Sequence, residues 1–237
     1  MHDPSALRAR LDGVRDRIAR AAGRAGRDPS SIRLLAVSKT FSSDDVRVAA
    51  AAGQLDFGEN KVQEAQRKIA ETSDLPLRWH LIGHLQSNKA RRAGALFHVI
   101  HSIDDATLIA PIDKAAGEAG RPIDLLVQVD LAGEVTKSGL APESVLPVFE
   151  IAQRCRSARV VGLMLIPPAV DDPEDARPYF TRLRRLRDEL GQRGIPAAAL
   201  QELSMGMSHD FEVAVEEGAT IIRVGTAIFG ARTPRPA

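Results

Sequence analysis

The sequence predicts a (β/α)8 barrel of the TIM type with an extra N-terminal helix, and three observations carry that expectation. Short apolar runs alternate with amphipathic stretches along nearly the whole chain. Those runs are continuously apolar, as expected of parallel strands covered on both faces. Eight of them fit within about 200 residues, the length of a closed α/β barrel. An open doubly wound sheet would show the same alternation. No GxGxxG follows the first run, which counts against a dinucleotide site.

Taken in order, residues 4–25 place Leu7, Leu11, Val14 and Ile18 at helical spacing among arginines, giving a helix ahead of the first strand. Strands are expected at 32–38, 54–58, 77–83, 97–103, 123–130, 160–165, 202–205 and 220–225. Helices are expected between them at 42–53, 60–72, 87–95, 104–119, 142–156, 174–193 and 209–218. Ser43 and Asp104 are read as N-caps, and Pro142 and Pro173 as first-turn prolines. No repeat or low-complexity linker interrupts the pattern, so residues 1–237 are expected to form one domain with a loose tail at 233–237.

Composition narrows the class of function. The chain has 237 residues, 44% hydrophobic and 27% charged, with a net charge of +1. That balance gives no drive toward nucleic acid or an acidic membrane. The lone cysteine, Cys155, lies between Arg154 and Arg156 and is read as a helix-packing residue of a protein in a reducing compartment. Neither a signal-peptide apolar region nor a membrane-length run of about 18 residues is present in the sequence, so a cytoplasmic protein is expected.

In a barrel, chemistry sits where the strands run out. Lys39 follows the apolar run LLAVS, so its charged form is disfavoured and its free amine is available for a Schiff base. A solvated loop lysine is the alternative. Ser204-Met205-Gly206-Met207-Ser208 precedes a helix expected near His209, with Ser208 as its N-cap. Gly225 and Thr226 end the last strand. Barrel loops after strands 7 and 8 often hold phosphate. Alternation along TIIRVG puts Arg223 on the same side as Gly225, where it faces either a ligand or a structural ion pair. Other features favour packing or solvation. His80 and His84 lack a metal-binding pattern, His98 and His101 face opposite ways, Trp79 packs, and RLRRLRDEL is a solvated helix face.

The strings AVSKT (36–40), FGEN with VQE (57–60 and 62–64), WHLIGHLQSNK (79–89), KSG (137–139), GLMLIP (162–167), LSMGMSHD (203–210) and RVGTAIFGAR (223–232) together resemble the pyridoxal phosphate homeostasis protein family. Those proteins are cytosolic and similar to the N-terminal barrel of alanine racemase. The resemblance runs from about residue 5 to residue 232. It implies a barrel holding pyridoxal 5′-phosphate (PLP) as a covalent aldimine on Lys39. It also implies a phosphate held around Ser204, Ser208, Gly225 and Thr226, and Arg223 near the pyridine nitrogen. Asn60, His80 and Met164 would line the ring. The chain departs from the family at Phe41-Ser42, where Lys-Pro is common, and at AGEVT before KSG. These departures touch the pocket rim.

A racemase needs a second acid/base group opposite the aldimine lysine, supplied in alanine racemase by a tyrosine from a separate domain. The only tyrosine here, Tyr179, falls in a helix expected outside the barrel. An arginine at the ring nitrogen also leaves it neutral and weakens carbanion stabilisation. The expected function is therefore a non-catalytic, monomeric PLP carrier or regulator. It would meet apo PLP-dependent enzymes transiently and bind no metal. The alternatives are a weak racemase or lyase, with Lys137 or His80 as second base, and a cofactor-free Schiff-base aldolase.

Overall fold

The computed structural model describes residues 3–133 and 138–230. Helix α1 (Pro4–Arg24) starts where Asp3 accepts a hydrogen bond from the Ser5 N–H, and buries Leu7, Leu11, Val14 and Ile18. Strands follow at β1 (Arg33–Val37), β2 (Asp56–Glu59), β3 (Arg78–Leu81), β4 (Val99–Ile103), β5 (Ile123–Gln128), β6 (Ala158–Met164), β7 (Glu202–Ser204) and β8 (Ile221–Val224). They pair in that order as a closed barrel, and β1 closes against β8. All of these pairings are parallel.

The intervening helices are α2 (Ser43–Ala51), α3 (Val62–Glu71), α4 (Ala90–Leu96), α5 (Ile109–Glu118), α6 (Leu146–Ala152), α7 (Arg177–Gln192) and α8 (Phe211–Glu216). A short α9 (Thr226–Phe229), absent from the sequence expectation, follows β8 at once. Among the described residues no helix is long and apolar enough to cross a membrane.

Four expected helix starts shift. Ser42, not Ser43, caps α2, in a capping box with Asp45. Asp105, not Asp104, caps the turn before α5, accepting from the Thr107 N–H. Pro142 and Pro173 open single 3-10 turns, and the α-helices follow them. The expected tail at 233–237 lies outside the described residues.

Strand alternation sorts the side chains into two layers. Leu35, Val37, Val99, Leu126, Met164 and Ile221 form a small cluster inside the barrel. Ala36, Phe57, Trp79, Leu81, Ile100 and Ile222 face outward into the larger cluster under the helices. The strand-end loops after β1, β7 and β8 therefore share one mouth, while Arg33 and Asp56, which start their strands, share the other.

Gly162 shows how closely the wall is built. It pairs with Glu202 across β6 and β7. A Cβ at Gly162 would lie 1.9 Å from the Glu202 carbonyl oxygen. Gly162→Ala should therefore force the strands apart and cost about 1–3 kcal/mol. Urea unfolding followed by circular dichroism measures it; an unchanged midpoint would show that β6 and β7 separate freely.

Candidate functional site

The mouth formed by the strand ends holds a cavity of about 260 Å³, lined by Val37, Lys39, Phe41, Ile82, Met207, Ser208, His209, Arg223, Gly225 and Thr226. Five expected residues meet there: Lys39, Ser208, Arg223, Gly225 and Thr226. Lys39 follows β1 directly, so strand geometry delivers its amine to the rim. At the adjoining ends of β7 and β8, Ser208 Oγ accepts from the Gly225 N–H at 3.2 Å and the Ala227 N–H at 3.5 Å. Ser208 thus ties the β7–α8 loop to the start of α9. It does not cap α8, whose N-cap is Asp210. Gly225 is confined, since a Cβ there would lie 3.3 Å from the Val37 carbonyl oxygen.

The peptide groups on either side of Lys39 are held from outside the barrel. The buried Lys68 ammonium of α3 donates to the Ser38 carbonyl oxygen at 2.7 Å, to Glu59 Oε1 at 2.7 Å and to Glu64 Oε1 at 2.9 Å. Ser38 Oγ donates to Glu59 Oε1 at 2.6 Å. The Thr40 N–H donates to Glu64 Oε1 at 2.6 Å. Thr40 adopts a left-handed φ of 73°, a costly conformation for a β-branched residue. Burial pushes the Glu59 carboxyl up, against the pull of Lys68 and Ser38. Burial also opposes the charge on Glu64, but hydrogen bonds from Lys68 and Thr40 outweigh it and leave that carboxyl below its usual range. Among the described residues Glu59 Oε2 has no hydrogen-bond partner.

Inside the barrel, Arg223 is 4% exposed. It donates from Nη1 to Ser204 Oγ at 2.7 Å and from Nη2 to the Leu165 carbonyl oxygen at 2.8 Å. Burial lowers its pKa to about 10, with nearby Asp210 opposing the shift, so it stays charged at neutral pH. Ser204 Oγ lies 2.8 Å from His101 Nδ1. His101 Nε2 lies 2.9 Å from His80 Nδ1, and His80 Nε2 lies 2.9 Å from Asp56 Oδ1. Burial pushes both histidines down, well below the ordinary range for His101.

The other expected residues lie outside this lining. Ser204, expected at a phosphate, is fully buried and partners Arg223 and His101. His80 and Met164, expected against a ring, are also fully buried and lie outside the cavity lining. Asn60 likewise lies outside the lining. Its backbone sits where a Cβ on Gly83 would intrude, 2.3 Å from the Asn60 carbonyl oxygen. The sequence reading missed Val37, Phe41, Ile82, Met207 and His209 as lining residues. Strand parity could have found Ile82, two residues beyond inward-facing His80. Phe41, a point of departure from the family, stacks on Phe229 with centroids 4.9 Å apart. Tyr179 packs against the outer core, away from the cavity. Lys137 lies outside the described residues.

A family model described as alanine racemase, N-terminal domain, matches residues 9–233. The pyridoxal phosphate homeostasis protein of Aquifex aeolicus is 47% identical over 223 residues, covering 94% of this chain and 97% of that protein. That of Pseudomonas aeruginosa is 43% identical over 228 residues, covering 96% of each. The chain belongs to the pyridoxal phosphate homeostasis protein family. Within the family, the structure of PipY from Synechococcus elongatus, solved with PLP bound, matches with a TM-score of 0.82 and 42% identity, over 94% of this chain and 100% of that one.

The hub beneath Lys39 makes a stability prediction. Lys68→Met leaves buried Glu59 and half-buried Glu64 without their cation and should cost about 3–5 kcal/mol at neutral pH. A buried acid whose pKa is raised destabilises the fold above that pKa and stops doing so once protonated. The deficit should therefore shrink as pH falls toward 5. Denaturant midpoints at both pH values check this; equal deficits would show that Lys68 contributes packing alone.

Proposed function

We propose that this chain binds PLP in the cavity at the strand ends, holds it through a Schiff base to Lys39, and serves PLP homeostasis as a carrier or regulator. The observation that carries the reading is that Lys39, Ser208, Arg223, Gly225 and Thr226 line one cavity. That donor set suits the cofactor. Lys39 supplies an amine for the aldehyde, Arg223 a permanent donor for the ring nitrogen, and Ser208, Gly225 and Thr226 hydroxyl and N–H groups for the phosphate. Bound PLP supplies an electrophilic aldehyde and a ring that can withdraw electrons from an adjoining carbon.

The chain's own residues favour keeping the cofactor over turning over a substrate. Arg223 would hold the ring nitrogen as a donor that does not give up its proton, so the ring's electron-withdrawing power would stay weak. His80 is sealed beneath the cavity between Asp56 and His101, which removes it as a second acid/base group. Tyr179 packs elsewhere. The family's curated relatives carry the name of a homeostasis protein. We read residues 1–237 as one PLP-binding domain, monomeric and cytoplasmic, that meets apo PLP-dependent enzymes transiently.

Borohydride reduction of the purified protein followed by peptide mass spectrometry tests this reading. Wild type should be yellow, absorbing near about 420 nm, and should carry reduced PLP on Lys39. Lys39→Ala should lose both signals. Trapping on another lysine, or a colourless protein that takes up no added PLP, would refute it. Incubation with L-alanine in deuterated water separates holder from racemase: exchange of the Cα proton at a catalytic rate would favour the enzyme.

A further inference from the structure

Five side chains form one unbroken line of hydrogen bonds through the barrel interior, from Arg223 under the cavity to Asp56 at the opposite mouth. The links are Arg223 to Ser204, Ser204 to His101, His101 to His80, and His80 to Asp56, at 2.7, 2.8, 2.9 and 2.9 Å. They come from five strands, β8, β7, β4, β3 and β2. The Asp56 side chain is 22% exposed, and it borders a separate surface hollow with Arg33, Gln54 and Leu55. Arg223, Ser204, His101 and His80 are buried.

The direction of every link follows from its two ends. Burial works against the charge on Asp56, but the hydrogen bond from His80 and the nearby Arg33 and Arg78 hold its carboxyl below the usual range. An ionised carboxylate only accepts, so His80 must carry its proton on Nε2. A neutral His80 then accepts at Nδ1, which obliges His101 to donate from Nε2. A neutral His101 accepts at Nδ1, which obliges Ser204 to donate its hydroxyl proton there. Ser204 Oγ is left to accept from Arg223, which can only donate. The charges facing the two histidines from neighbouring strands are Asp56, Arg33, Arg78 and Arg223. Three of the four are cations, which reinforces burial in keeping both rings neutral.

We infer that Asp56, His80, His101 and Ser204 are positioning residues: a polarised relay, anchored at the far mouth of the barrel, that fixes the Arg223 guanidinium where it meets the ligand. A chain of donors aligned toward an anion makes each acceptor stronger, so Ser204 Oγ grips Arg223 more firmly than an isolated hydroxyl would. Ser204 fixes one arm of the guanidinium and the Leu165 carbonyl oxygen the other. The function of the relay rests on the proposed PLP site; its internal direction does not.

The test uses the full-length protein in two arms. In the first, nitrogen-15 NMR of histidine-labelled protein without PLP should show His80 and His101 neutral, both protonated on Nε2, from pH 6 to 8. An Nδ1-protonated or doubly protonated ring at either position overturns the relay, whatever the protein binds. In the second, PLP-loaded Asp56→Asn and Asp56→Ala are compared with wild type by the release rate of PLP to a scavenging apo-enzyme and by the pH midpoint of the visible band. Asn keeps an acceptor without the charge, and Ala removes both. Release should quicken about fivefold in Asp56→Ala, the effect of one lost hydrogen bond, and by less in Asp56→Asn, with the midpoint displaced in both. Folded variants with wild-type release and midpoint, changed only in thermal stability, would reduce Asp56 to a structural residue and overturn the inference. Wild type that fails to load PLP while passing the NMR arm would instead refute the cofactor reading and leave the relay's direction intact.

Discussion

A charge buried in the barrel is the constraint that organises the interior. Arg223 is nearly solvent-free, and a guanidinium cannot relieve its burial by giving up a proton at working pH. The interior must therefore supply acceptors where an ordinary barrel would place aliphatic side chains. Ser204 and the Leu165 carbonyl oxygen do so directly. Ser204 can accept from Arg223 only because its own proton has an outlet in His101, and each later link repeats that logic as far as Asp56. The aliphatic cluster of Leu35, Val37, Val99, Leu126, Met164 and Ile221 fills the remaining space. The interior is thus divided between a greasy half and a hydrogen-bonded half, and both reach the cavity, through Val37 and Ile82 on one side and Arg223 on the other.

A second network works on the other side of the sheet. Glu59 ends β2 facing outward, where Lys68 of α3 reaches it. Lys68 and Glu64 then bind the carbonyl of Ser38 and the N–H of Thr40, so one ammonium group fixes the backbone on both sides of Lys39. Thr40 keeps a left-handed backbone that costs on the order of 1 kcal/mol or more. Such a conformation persists only where its surroundings enforce it, and here the enforcement comes from a buried ion cluster. The two networks do not touch, yet they converge on the same cavity, one through the frame of Lys39 and the other through the head of Arg223.

How much of this was legible in the sequence depended on whether a residue's role is set along the strand or across the fold. The barrel was legible because its strands are continuously apolar and regularly spaced. Arg223 was placed correctly by parity alone, since side chains alternate along a strand whatever surrounds them. Roles that depend on partners from distant strands were not. Ser204 and His80 look like ligand residues until β4 brings His101 between them. Lys68 and Glu64 are four residues apart on α3, a spacing common to ordinary surface pairs and so uninformative about burial. The burial of Lys68 follows only from α3 lying over the end of β2. Asp56 starts a strand and carries no local signature. Helix starts slipped by single residues because Ser42 and Ser43, or Asp104 and Asp105, offer the same capping chemistry and tertiary geometry selects between them.

The proton inventory of the cavity links these pieces to the proposed role. Among the lining residues the ionisable side chains are Lys39, His209 and Arg223. Arg223 does not exchange its proton at neutral pH. His209 Nε2 lies 2.9 Å from the Asp171 carbonyl oxygen, which draws the ring toward the β6–α7 loop. His80 and His101, joined to Arg223 through Ser204, are locked in a line whose direction both ends dictate. Moving a proton along that line would require Asp56 to be protonated or Arg223 to be neutral, and the field of Arg33 and Arg78 resists the first. A site that fixes its cation, ties its buried histidines into one line and frames the backbone on both sides of Lys39 suits the proposed role of binding and orienting. Shuttling protons during turnover needs a group with two comparably stable protonation states, and these networks have removed that property from every histidine beneath the cavity.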